Sequence, residues 1–185
     1  MYDYVIVHGS YGTPFENWFY WLFEKLSERG KNVLAPQFPC GNGIQNYDNW
    51  SKVMYAYKDY LGEETSFVGH SLAPAFLTDF ILDNHLHIKN LYFVAPFYDL
   101  IQIPDFDKVN KPFFKYKEIN EVQKFAQSIT CYISNTDPYV PNQLSIEFAD
   151  NIGAKKIFVE GAGHFNTAAG YTHFEQLLEE MMNNE

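Results

Sequence analysis

The strongest constraint on this chain is a rhythm: short apolar, β-rich runs alternate with segments of helical periodicity along its length. The runs Tyr4–His8, Lys31–Ala35, Ser66–Gly69, Leu91–Val94, Ile129–Ser134 and Lys155–Val159 read as strands. Helices are predicted over Phe15–Glu28, Tyr47–Tyr60, Ala73–Asn84, Asn142–Asn151 and Thr167–Met182. In the first of these, Leu22, Leu26 and the aromatics around Trp18 and Trp21 recur on one face, with Glu16 and Asn17 on the polar side. Strands separated by helices return by crossover, so the expected architecture is α/β, with a mostly parallel six-stranded sheet covered by helices on both faces. In such a sheet, ligands bind beyond the carboxyl ends of the strands.

A length of 185 residues suits one domain spanning residues 1–185. The hydrophobic fraction of 46% and the aromatic fraction of 18% exclude a disordered or fibrous chain. With 13 basic against 23 acidic residues the net charge is −10, a field that repels polyphosphates, and no Lys/Arg cluster reverses it locally. Nucleic acid is therefore not an expected partner. No apolar run approaches the ~20 residues of a membrane helix. The N-terminus enters an apolar strand without a secretory pattern, and Cys40 and Cys131 form no C-x-x-C pair. These features predict a cytoplasmic protein with reduced thiols, Cys131 being a packed core residue.

One stretch breaks the rhythm. Residues 97–120, with Pro96 just before it, include Pro104 and Pro112 and are rich in aromatics, too long for an ordinary connection. Phe106, Phe113, Phe114 and Tyr116 argue against disorder and are expected, with Tyr11, to wall a binding pocket.

Chemistry concentrates in Ser66-Phe-Val-Gly-His-Ser-Leu-Ala73, a strand running through a sharp turn into a helix that opens with Pro74. A serine at the tip of such a turn projects its hydroxyl into open space, and small residues two before and two after it let strand and helix approach. Gly69 and Ala73 meet that need. The turn also sets Ser71 at a helix N-terminus, where the Leu72 N–H lacks an intrahelical partner and can donate to an anionic oxygen. His70, inside the turn, is read as orienting it.

A serine hydroxyl needs a base, and among the six histidines His164 is best placed, in the Gly-rich loop Glu160-Gly-Ala-Gly-His-Phe165 after a strand. His85 and His87 flank Leu86 at a helix end without nearby carboxylates or thiols, so no metal site is expected there; His173 reads as a surface residue. The imidazole in turn needs a carboxylate. Asp137, in Ser134-Asn-Thr-Asp-Pro-Tyr-Val-Pro141 after a strand, is the candidate, with Asp99 as its competitor at another carboxyl end. The order Ser71, Asp137, His164 is that of α/β-hydrolases. His8-Gly-Ser-Tyr-Gly-Thr-Pro14 follows the first strand, and its glycines let the Ser10 N–H face the same space as that of Leu72, completing an oxyanion hole. The loop lacks the endings of a P-loop and of a dinucleotide fingerprint.

With Val5-Ile-Val-His-Gly9, Asn17-Trp18-Phe19, Trp21-Leu22, Gly69-His-Ser-Leu72, Asp137-Pro-x-Val-Pro141 and Gly163-His-Phe165 in place, the chain resembles the small serine hydrolases of the YdeN and retinoblastoma-binding-protein-nine type over nearly its whole length. That resemblance implies a compact α/β-hydrolase fold with no separate cap domain and a triad carried onto Ser71, Asp137 and His164. The chain departs from the family at Ala73, where glycine is usual, and in the aromatic excursion. It also lacks a Leu-x-Cys-x-Glu segment, so binding to pocket proteins is not implied. The expected activity is hydrolysis of a small carboxylic ester, thioester or amide through an acyl-enzyme on Ser71, with no metal or organic cofactor and a small acyl compound as substrate. The alternative is a hydrolase-like fold kept as a binding or scaffold module, which has no need of all three groups.

Overall fold

Period-two alternation along each strand sorts side chains onto two faces and builds two cores. The computed structural model describes residues 1–115 and 118–184. Its strands are β1 (Tyr4–Val7), β2 (Val33–Leu34), β3 (Ser66–His70), β4 (Ile88–Val94), β5 (Ala126–Ser134) and β6 (Lys155–Val159). They form one sheet in the order β2-β1-β3-β4-β5-β6, and every neighbouring pair is parallel. Val5, Val7, Phe67, Leu91, Phe93, Cys131 and Ile133 face one way, into a core completed by α2 (Tyr47–Tyr55), α3 (Ala73–Asn84) and α5 (Asn142–Asn151). Tyr4, Ile6, Val68, Tyr92, Val94 and Tyr132 face the other way, against α1 (Phe19–Ser27) and α6 (Glu175–Asn183). Helices thus cover both faces.

The chain leaves β1 for the edge strand β2, then crosses back to lay β3 on the other side of β1. The loops after β1 and β3 diverge at that reversal, opening the crevice where open α/β sheets take their ligands.

Element boundaries differ from the sequence expectation where side chains have other tasks. The first helix begins at Phe19, because Asn17 takes a left-handed φ of 53°, so Glu16 and Asn17 belong to a turn and not to a polar helix face. The α2 segment ends at Tyr55, with a separate 3-10 turn at Lys58–Tyr60. The last helix begins at Glu175: a 3-10 turn at Thr167–Ala169, capped by Asn166 and closed by Gly170 at φ 85°, interrupts the predicted segment.

The excursion is ordered in its described part, with α4 (Pro104–Asn110) followed by a 3-10 turn at Lys111–Phe113. Phe113 is fully buried, its ring 4.8 Å from Trp50 and 6.2 Å from Phe76. Phe114 packs on Phe97 and Tyr98. These two rings, expected in the pocket wall, instead anchor the excursion to the core. Tyr116 lies outside the described residues. Tyr98 and the Lys115 N–H bind the Asp79 carboxyl in α3.

Candidate active site

Ser71 stands where β3 turns into α3, with a φ of 62° that a non-glycine residue rarely adopts. Two features hold this conformation. Its N–H donates to the Val94 carbonyl at 2.9 Å, carrying the β3–β4 ladder past the strand end. Gly69 lies so close to α3 that a Cβ there would sit 3.0 Å from Leu77 and 3.2 Å from the Pro74 nitrogen. The small residue expected two positions before the serine is therefore required by contact between strand and helix.

Gly9 closes in from the β1 loop. A Cβ on it would lie 2.8 Å from Ser71 Cβ and 3.1 Å from the His70 carbonyl oxygen, so the loop carrying Ser10 packs directly against the serine. Several polar groups fix that loop. The buried His8 ring donates from Nδ1 to the Gly9 carbonyl at 2.9 Å and accepts the Phe38 N–H at Nε2 at 3.0 Å. Burial lowers its pKa and keeps it neutral. Gln45 accepts the Tyr11 N–H at 2.9 Å, and the Ser10 hydroxyl donates to Asn110 of α4. The Ser10 and Leu72 N–H groups donate to no acceptor among the described residues.

His164 and Asp137 come from the loops after the neighbouring strands β6 and β5. Asp137 Oδ1 accepts the N–H groups of Tyr139 at 2.8 Å and Val140 at 3.0 Å, which aims Oδ2 at His164 Nδ1, 2.7 Å away. A carboxylate only accepts, so this bond sets the tautomer with Nδ1 protonated and leaves Nε2 as an acceptor. The two loops are stitched together by Gly161 N–H to Asn135 at 3.0 Å and Gly163 N–H to Thr136 at 3.1 Å. His70 holds His164 from behind, its Nε2 donating to the His164 carbonyl at 2.8 Å. Burial chiefly, with the adjacent His164, pushes the His70 pKa down to about 3, so it stays a neutral donor. Trp18 Nε1 donates to the next carbonyl, that of Phe165, at 2.9 Å.

Ser71 and His164 line one cleft of about 180 Å³, together with Gly9, Ser10, Ile101, Phe106, Asn110, Tyr139 and Val140. Glu16, Asn17 and Asn166 line it as well, although the sequence expectation gives them no part in it. The signal that could have found them is position: each sits in a loop at a carboxyl end. Ser71 Oγ makes no hydrogen bond among the described residues; bonds of this kind are often long until substrate arrives. Tyr11, expected in the pocket wall, is exposed and does not line this cleft; its ring packs 5.6 Å from that of Phe106, which does. Asp99 is exposed and accepts the Leu100 N–H at 2.7 Å; the carboxylate bonded to the imidazole is that of Asp137. His85 and His87 pack on Phe125, and His173 is exposed beside Trp21.

A histidine with a fixed tautomer and a serine at a strained turn line one cleft, an arrangement that can activate a hydroxyl. Known proteins share the fold. The chain is 28% identical to the YdeN hydrolase of Bacillus subtilis (strain 168) over 173 residues, covering 90% of this chain and 87% of that one. The crystal structure of the ydeN gene product superposes with a TM-score of 0.86 at 22% identity, over 100% of this chain and 98% of that one. Est1E from Butyrivibrio proteoclasticus, solved with ferulic acid bound, superposes with a TM-score of 0.74 at 16% identity, over 100% and 89% of the two chains. The sheet and helices are those of an α/β-hydrolase, and a family model described as serine hydrolase matches residues 4–183, so the chain belongs to the serine hydrolase family.

Proposed function

We propose that the protein hydrolyses a small carboxylic ester through an acyl-enzyme on Ser71, with His164 as base and Asp137 as the acid that orients it. The observation that carries this reading is the 2.7 Å pairing of His164 Nδ1 with a backbone-held Asp137, in the cleft onto which Ser71 opens.

In the first step Ser71 Oγ attacks the carbonyl carbon while its proton passes to His164 Nε2. The carbonyl electrons move to oxygen, and the Ser10 and Leu72 N–H groups receive that oxyanion; each donor of this kind is typically worth ~3–4 kcal/mol of barrier. The ester C–O bond then breaks as His164 returns the proton to the departing oxygen. Water, deprotonated by the same imidazole, attacks the acyl-enzyme, and expulsion of Ser71 Oγ with its proton restores the enzyme. Asp137 keeps its charge throughout and stabilises the imidazolium. Ile101, Phe106, Tyr139 and Val140 form an apolar wall suited to a short or medium acyl chain, each buried methylene adding ~0.8 kcal/mol until the space is filled.

The test is turnover of a short-chain ester panel by wild type and Ser71→Ala. Loss of turnover on the order of 10⁶-fold in the variant is expected, as for another serine hydrolase stripped of triad members. A variant as active as wild type, or a wild type without turnover on any ester, thioester or amide, contradicts the reading.

A further inference from the structure

The lining of the cleft is of two chemical kinds: Ile101, Phe106 and Tyr139 make up its apolar wall residues, and Glu16, Asn17 and Asn166 its polar ones. Asn17 Oδ1 accepts the Thr167 N–H at 2.9 Å, which ties the Glu16–Asn17 turn to the loop that bears His164. The base hands its proton to the departing oxygen, and the polar wall, joined to the base's own loop, borders that route, as does Tyr139 with its ring 5.1 Å from that of His164.

Glu16 is half-buried on that wall. Burial raises its carboxyl pKa, and the Thr13 N–H offsets part of that rise. No Lys or Arg pairs with it among the described residues, and none lines the cleft. A carboxylate drawn out of water without a cation is unfavourable, and a cationic ligand relieves it. The net charge of −10 draws cations toward the protein and repels anionic acyl donors.

We propose that the Glu16 wall receives a leaving group carrying a positive charge, so that the enzyme cleaves small esters of amino or ammonium alcohols. The inference rests on the serine hydrolase reading above and adds the substrate class to it. Asn17 and Asn166 supply further polar contacts to the same group, while the acyl part stays on the apolar wall.

The experiment compares choline esters with 3,3-dimethylbutyl esters of the same short acids, a pair alike in shape and different in charge. Wild type is expected to prefer the choline ester in kcat/KM by about tenfold or more, a size in keeping with a partly exposed ion pair. In Glu16→Gln that ratio falls toward one, and in wild type it shrinks as salt is raised. A parallel NMR titration with choline and 3,3-dimethylbutanol reads the same preference in binding, without chemistry. Cleavage of both esters at equal efficiency, or an equal ratio in wild type and Glu16→Gln, overturns the proposal and leaves the hydrolase reading intact. If neither ester is cleaved, the titration decides: choline preferred by wild type and not by Glu16→Gln supports the cation wall while counting against the esterase reading, and no preference overturns the wall.

Discussion

Gly9 places its α-carbon against Ser71, and substitution by alanine measures how closely the loop after β1 and Ser71 must fit for the proposed reaction. The added methyl would begin 2.8 Å from Ser71 Cβ and 3.1 Å from the His70 carbonyl. Carbon atoms rest at ~3.5–4.0 Å, so loop and serine must separate by roughly 0.7 Å. Neither neighbour yields easily: Ser71 is fixed by its N–H bond to Val94, and the Gly9 carbonyl by the buried His8 ring. Overpacking of this kind costs ~1–3 kcal/mol of stability. A displacement near 1 Å at reacting groups costs up to ~10²-fold in rate. Gly9→Ala is thus expected to lower kcat by roughly 30- to 100-fold. Gly62→Ala is the control, because its new methyl meets only the end of the Met1 side chain, at 3.2 Å. Denaturant titration gives stability, and steady-state hydrolysis of one ester gives kcat. A Gly9→Ala protein within threefold of wild type would show that the loop and Ser71 are not held as described.

Asp137→Asn is expected to drop kcat by about 10⁴-fold through the wrong histidine tautomer, as in a protease triad, while Asp99→Asn stays within threefold; steady-state kinetics on both variants decides. Phe113→Ala should cost ~3–5 kcal/mol of stability by emptying a core site, whereas Phe106→Ala should shift acyl-length preference with little change in the unfolding midpoint. His70 is neutral in the fold, with a pKa near 3 against 6.5 unperturbed, so the unfolded chain binds the extra proton between those values. Its contribution is therefore complete above about pH 6.5 and is lost on acidification by up to about 1.4 kcal/mol per pH unit. Asp79, raised by burial to about 7, has the opposite slope: its contribution is complete below its unfolded pKa and is lost as pH rises toward 7. Urea unfolding from pH 4 to 7 should consequently show His70→Gln losing the stabilising rise and Asp79→Asn losing the opposing fall.

Much of this architecture was legible because strands announce themselves twice, by apolar content and by the turn residues at their carboxyl ends. Phe67 and Val68 face opposite cores, as alternation requires, and the Gly69–Ala73 pattern carries its own steric reason. His164 and Asp137 could be paired in advance because parallel strands deliver consecutive loops to one edge. The excursion was illegible for an equally physical cause. Phe106 and Phe113 look alike in the sequence, and only the fold decides that one meets the cleft and the other Trp50. Glu16 and Asn17 read as a polar helix face because the helical period runs through them, yet the positive φ of Asn17 ends that period and turns both residues toward the cleft. The Ser10–Asn110 bond spans one hundred residues and had no local sign.

The central claim is that Ser71 is the nucleophile, and covalent capture reads it most directly. Wild type and Ser71→Ala are incubated with a fluorophosphonate, digested and analysed by tandem mass spectrometry. One phosphonyl adduct per chain is expected, on the peptide containing Gly69-His70-Ser71-Leu72 and localised to Ser71, with none on the variant. An adduct on another residue, or equal labelling of Ser71→Ala, would contradict the account.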